Sequence, residues 1–287
     1  MADIDELNRL IERAGAGWVA KETPLSDLVA IGGAEGMLGL ALSPDEALDE
    51  MLMQRQVEQN IQLGAPPPLP SRLDWRDHDG ENWITSVKNQ KTCNSCVSFA
   101  ACGAIEARVR IENSKPDAMI DLSEAQLFYC GAPNSCGTGW QPAAAMEFAR
   151  QHGIGLESDF PYQPGNQACR MIPPVVQLNG HGRAATMVER KRALMGGPVI
   201  AGMAVFQDFR SYGSGVYRHV SGNLEGHHAV CVIGFDDQRG CWIAKNSWGS
   251  AWGDDGFFRI AYGECGIDSQ FTFTIPGRVR VLSGLQL

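Results

Sequence analysis

Apolar positions recur at helical spacing near the start of the chain: Ile4, Leu7, Leu10 and Ile11 share one face, behind an N-terminal cap formed by Asp3 with Glu6. A second helix is predicted from Ser43, an N-cap serine followed by Pro44 and Glu46, with Leu48, Met51 and Leu52 on its apolar side. Between them, Gly15 to Ala41 has no period and reads as irregular. The run Ala65-Pro66-Pro67-Pro68-Leu69-Pro70 excludes helix and predicts an extended connector, hence a domain boundary. Beyond it, Cys96 to Glu112 has neither proline nor a glycine cluster and predicts one long helix; Ser123–Tyr129 and Pro142–Gln151 predict shorter ones. From Pro198 onward the apolar runs are short and β-rich: Val199-Ile200, Ala229–Ile233, Trp242–Ala244 and Phe257–Ile260, separated by glycine and Asp-Asp turns. Helices followed by strands, rather than alternation, predict an α+β protein whose two halves enclose a cleft.

Charge sharpens the boundary. Residues 1–70 hold 4 Lys/Arg against 12 Asp/Glu, leaving 20 against 21 for the rest of the 287-residue chain. That near-neutral remainder has no basic cluster to neutralise phosphates, so nucleic acid is not an expected partner. The apolar runs fall far short of the roughly 18 residues of a membrane span, so no membrane association is expected. Nine cysteines are many for a cytosolic enzyme, and their odd number leaves at least one unpaired. They favour a secreted or extracytoplasmic protein. The N-terminus, Met-Ala-Asp-Ile-Asp-Glu, lacks both stretches of a secretory signal, while Gly32-Gly33 fits a double-glycine export signal as well as a loop.

The densest chemical signal is Gln90-Lys91-Thr92-Cys93-Asn94-Ser95-Cys96-Val97-Ser98, directly before the long helix. A thiol at Cys96 would sit among the free N–H groups of the helix N-terminus, which favour the nucleophilic thiolate. Its partners would be a proton carrier, His228, at the start of a strand, and an orienting amide, Asn246. They lie 132 and 150 residues after the cysteine.

These blocks, with Pro70–Trp75, Val87–Gln90, Asn246-Ser247-Trp248-Gly249 and Trp252–Phe257, resemble the papain and cathepsin family of cysteine peptidases over about Leu69 to Gln270. The resemblance implies the papain-like fold, a helical left half and an antiparallel β-barrel-like right half with the active-site cleft between them. It implies Cys96 as nucleophile, His228 as acid and base, Asn246 as orienting group and Gln90 as oxyanion donor beside the Cys96 N–H. Trp248 would shield the His–Asn pair. Gly139 and Trp140 would form the backbone rung and wall for the second residue before the scissile bond, with Gly202, Gly226 and Gln270 completing a roomy pocket with a polar floor. The same resemblance pairs Cys93 with Cys136 and Cys130 with Cys169, and makes Cys265 a half-cystine for which Cys241 is a candidate partner. Cys102 and Cys231 read as small buried hydrophobes.

The expected enzyme is therefore a thiol endopeptidase made as a zymogen. Residues 1–68 would be a helical, inhibitory pro-segment, 69–275 the catalytic domain and 276–287 a tail. It would act as a monomer on peptide or protein substrates, without metal or cofactor. Trp18-Val19-Ala20 and the stretch Thr23 to Ala41 look like a short bacterial type of pro-segment. Gly15 to Ala41 is the expected occupant of the cleft, and acid is expected to weaken the segment's carboxylate contacts. Two positions depart from the family pattern: Asn94, where glycine is usual, and Val97, where tryptophan is usual. They leave open an inactive papain-fold binding protein. Cys93-x-x-Cys96 also fits a redox pair or half a zinc site, but no second pair occurs at structural-zinc spacing. His227 is read as rimming the cleft, with no part in the chemistry.

Overall fold

A computed structural model describes residues 3–26, 37–41, 68–132 and 136–282. The helix expected after Ser43, the connector up to Pro67 and the Gly32-Gly33 pair lie outside the described residues. The chain opens with α1 (Ile4–Arg13), capped by the Asp3 carboxylate, which accepts the N–H groups of Asp5 and Glu6. Its Leu7 and Ile11 are buried. Two short strands follow, β1 (Trp18–Ala20) and β2 (Arg72–Asp74), so the stretch read as irregular contains a strand.

Three helices then build one half: α2 (Cys96–Glu112), α3 (Glu124–Gly131) and α4 (Pro142–Gln151). Helix α2 is buried from Cys96 to Val109, as befits a helix without a polar side. Strands β3 (Val176–Leu178) and β4 (His181–Ala184) and helix α5 (Met187–Met195) lead to the second half. That half comprises β5 (Val199–Phe206), β6 (Tyr212–Tyr217), β7 (Leu224–Asp236), β8 (Cys241–Lys245), β9 (Phe257–Ala261) and β10 (Phe273–Pro276). The sheet runs β1-β6-β9-β8-β7-β5-β10-β4, with β2 also paired to β7. Its pairs are antiparallel except β6 with β9. β11 (Val279–Val281) returns to pair with β3, and Val279 N–H donates to Glu112 on α2, so β11 closes onto the helical half.

Helix α2 packs against β7, which brings its first residue to the seam between the halves. Disulfides join Cys93 to Cys136 and Cys130 to Cys169. Cys96, Cys102, Cys231, Cys241 and Cys265 are buried free thiols, so the pairing of Cys241 with Cys265 does not form.

Candidate active site

Cys96 is the first residue of α2. The preceding Ser95 turns its hydroxyl to Tyr162, 2.8 Å away, and makes no side-chain cap. The N–H groups of Cys96 and Val97 therefore lie by the sulfur. Sγ also accepts the Ala229 N–H at 3.4 Å, which ties the helix to the strand carrying His228. His228 stands opposite Met203 in the β5–β7 register. Its Nε2 lies 2.8 Å from Asn246 Oδ1, which also accepts the Ser247 N–H. With the acceptor oxygen on that side, Nε2 carries the proton. The Trp248 indole covers the imidazole, ring centroids 4.8 Å apart.

Gln90 is fully buried. Its Oε1 accepts the Ser247 hydroxyl at 2.6 Å and its N–H donates to the Ser247 carbonyl, so the residue after Asn246 fixes the Gln90 amide. Its Nε2 donates to the Cys93 carbonyl at 2.7 Å and to the Met37 carbonyl at 3.3 Å. The fold thus brings Cys96, His228, Asn246, Gln90 and Trp248 together, and Ser247 is a further member that spacing alone did not single out.

The site is occupied by the chain's own Met37 to Ala41. The Gly39 carbonyl accepts the Trp140 N–H at 2.7 Å, Ala41 N–H donates to the Trp140 carbonyl and Leu40 N–H to the His227 carbonyl. Both pairings are parallel bridges. The Gly39 N–H points to the Cys96 sulfur. A Cβ on Gly202 would lie 2.5 Å from Leu40 and 2.7 Å from Phe271, so that glycine opens a pocket that Leu40 fills and Phe271 closes. Gly226 makes similar room for Leu38. Two expectations shift. The rung is Trp140's own backbone while Gly139 backs onto Gly39, and Gln270 is exposed against Gly266 while the apolar Phe271 lies with Leu40 against Gly202.

Coverage sets the electrostatics. Burial pushes the Cys96 thiol up to about 11, outweighing the four N–H groups of Ala229, Gly39, Val97 and Cys96 that favour the thiolate. Burial brings His228 down to about 4; the Asn246 bond opposes this and the Arg210 charge adds to it. Its Nδ1 makes no aligned hydrogen bond, although the nearby Met37 carbonyl favours the protonated ring. In the covered site both groups are neutral at pH 7, so the thiolate expected from the helix N-terminus is overridden by burial. Arg210 is itself buried, with Nε 2.5 Å from Glu225.

Residues 69–275 match the papain family cysteine protease description. Over 232 residues the chain is 37% identical to pro-cathepsin H of Mus musculus, covering 75% of this chain and 67% of that protein. It is 33% identical over 225 residues to the viral cathepsin of Epiphyas postvittana nucleopolyhedrovirus, with coverage of 75% and 67%. The fold is similar to a digestive procathepsin L 3 of Tenebrio molitor larval midgut, with a TM-score of 0.76 and 25% identity, covering 96% of this chain and 88% of that one. The chain belongs to the papain family of cysteine proteases and is a zymogen thiol peptidase. These relatives are animal and viral, so a bacterial type of pro-segment finds no support among them.

Proposed function

We propose that this protein is a latent endopeptidase in which Cys96, His228, Asn246 and Gln90 carry the reaction. Once the cleft is open, the His228 imidazole takes the Cys96 thiol proton and the thiolate attacks a peptide carbonyl carbon. The resulting oxyanion is held by Gln90 Nε2 and the Cys96 N–H. Collapse of this intermediate breaks the peptide bond as His228 returns the proton to the leaving amine. Water, deprotonated by His228, then attacks the thioester, releasing the carboxylate product and restoring the thiol. Asn246 keeps the ring in the tautomer this requires, and Trp248 keeps water from their bond.

Residues 1–68 act as the pro-segment, 69–275 as the catalytic domain and 276–287 as a tail. The enzyme works as a monomer outside the cytoplasm, on peptide or protein substrates that place an apolar side chain in the pocket held by Leu40. One observation carries this reading: Gln90 Nε2 and Cys96 Sγ both bond to the backbone of Met37 to Gly39, as they would to a bound peptide.

Cys96→Ala tests it. The variant should keep its fold by circular dichroism and lose peptide hydrolysis, since the thiolate has no substitute in the site. Activity near wild type would remove Cys96 from the reaction. Alkylation of Cys96 after segment removal separates this reading from an inactive papain-fold binding protein, which would show no unusually reactive thiol.

A further inference from the structure

Asn94 stands in the cleft wall at a position where the family usually has glycine, and the fold gives its side chain a definite partner. Its Oδ1 accepts the Leu38 N–H at 3.1 Å. Its own N–H donates to the Cys136 carbonyl at 3.2 Å, and its neighbour Cys93 is bonded to Cys136, so the asparagine is mounted on a cross-linked piece of wall. The contact is close: a Cβ on Gly39 would come within 2.0 Å of the Asn94 carbonyl oxygen. Together, Gln90 takes the Met37 carbonyl, Asn94 the Leu38 N–H and Cys96 the Gly39 N–H. Three successive residues are held by three side chains within seven positions of one another. Glycine at position 94 would leave the middle one without a side-chain acceptor.

We infer that Asn94 is a peptide-positioning residue, a side-chain amide that grips the main chain of whatever peptide crosses Cys96. In the latent chain that peptide is the N-terminal segment. In the open enzyme it is the substrate, so the inference rests on the peptidase reading above. A side-chain amide suits both occupants because Oδ1 accepts a main-chain N–H and Nδ2 donates to a main-chain carbonyl, whichever way the peptide runs. The bond is to backbone, so it adds affinity for extended peptide without selecting a side chain. It lies beside the reacting atoms and not on them, so its loss should appear in KM and leave kcat within about twofold. A net hydrogen bond of this kind is worth about 0.5–1.5 kcal/mol, or roughly two- to tenfold in affinity.

The test uses enzyme processed from the full chain and a synthetic peptide spanning residues 35–43, with and without an N-methyl group on Leu38. N-methylation removes the hydrogen that Asn94 accepts, and the Asn94 variants report whatever the added methyl group costs by itself. Against wild type it should weaken inhibition several-fold. Against Asn94→Gly and Asn94→Ala it should change inhibition less than twofold, and Asn94→Asp, which keeps the acceptor oxygen, should restore the sensitivity. The glycine and alanine variants should also show a raised KM for peptide substrates at nearly constant kcat. Equal losses on N-methylation in all four enzymes would overturn the inference, as would an unchanged KM. A processed wild-type enzyme that hydrolyses no peptide at all would instead overturn the peptidase reading, so the two failures are distinct.

Discussion

Gly39 and Gly139 meet backbone to backbone: a Cβ on Gly139 would lie 2.2 Å from the Gly39 carbonyl oxygen. Gly139 also has φ +69, a conformation that costs other residues energy. The pairing with Trp140 depends on this close approach, and at position 39 a side chain would strike the Asn94 backbone, which cannot yield. Gly39→Ala should therefore lift Met37 to Ala41 from the cleft while leaving the catalytic domain untouched. The uncleaved full-length variant is expected to hydrolyse peptide at least about tenfold faster than uncleaved wild type, a difference of roughly 1.4 kcal/mol. Initial rates, with the chain shown intact by mass spectrometry, decide it; equal rates would mean that the segment is held elsewhere.

The neutral pair at Cys96 and His228 makes latency depend on pH in both directions. His228 in the covered site is lowered to about 4 from 6.5, so the stability it lends the covered form is complete above 6.5 and is lost as pH falls through 4. Cys96 is raised to about 11 from 9.0, so its share is complete below 9 and is lost as pH rises through 11. Opening should thus be least favourable at about pH 7 to 9. Among the described carboxylates of the segment, Glu6 pairs with Arg9 inside the segment itself. Trapping Cys96 in the uncleaved chain with a dipyridyl disulfide, which reacts with thiols in acid as well, should give a rate minimum in that window. A rate independent of pH below 6.5 would show that His228 protonation does not drive opening.

The helical half was legible because its helices carry their own signals. Cys96–Glu112 and Pro142–Gln151 have the predicted limits, and Ser123 caps the helix between them. Residues 187–195 were not read as a helix, although Thr186 and Glu189 form a capping box, because little more than Leu194 marks an apolar face. Strands such as Tyr212–Tyr217 were also missed: two glycines interrupt the run, and its partners β1 and β9 are remote in sequence. The reactive groups were legible as blocks of sequence. The Leu40 pocket was not, because Gly202 and Phe271, which bound it, are remote from each other in sequence and no local pattern records their approach.

Among the described residues of the segment, Trp18 packs deep into the second half of the molecule. It is buried between Tyr212 and Tyr217, and its indole N–H donates to the Arg218 carbonyl at 2.9 Å. Trp18→Ala removes that packing and leaves the carbonyl unpaired, a loss of about 3–5 kcal/mol for a core tryptophan. The variant should lose latency at neutral pH while its processed form matches wild type in kcat and KM. A variant as latent as wild type would place the anchor outside β1.

Behind Asn246, a buried charge relay crosses the seam. Lys245 Nζ donates to Thr85 Oγ1 at 3.1 Å, and Thr85 donates to Glu106 Oε2 at 2.5 Å. The other Glu106 oxygen accepts the Leu122 N–H and lies 3.5 Å from Lys88 Nζ, which also contacts Glu124 and Asp121. Glu106 on α2 is thus the anion between two lysines, and Lys245 immediately precedes Asn246. Burial pulls Lys245 down in pKa against the attraction of Glu106. Removing the shared anion by Glu106→Gln leaves Lys245 buried without its main counter-charge, a loss of about 3–5 kcal/mol when a buried pair is broken from one side. Lys245→Met removes the other end but leaves Glu106 with Lys88, so its loss should be smaller. Calorimetry in a Cys96→Ala background, where self-digestion cannot interfere, should find a lower Tm for Glu106→Gln than for Lys245→Met, each below the parent. The reverse order would mean that the relay is held from the lysine side, with Glu106 sustained by Lys88 alone.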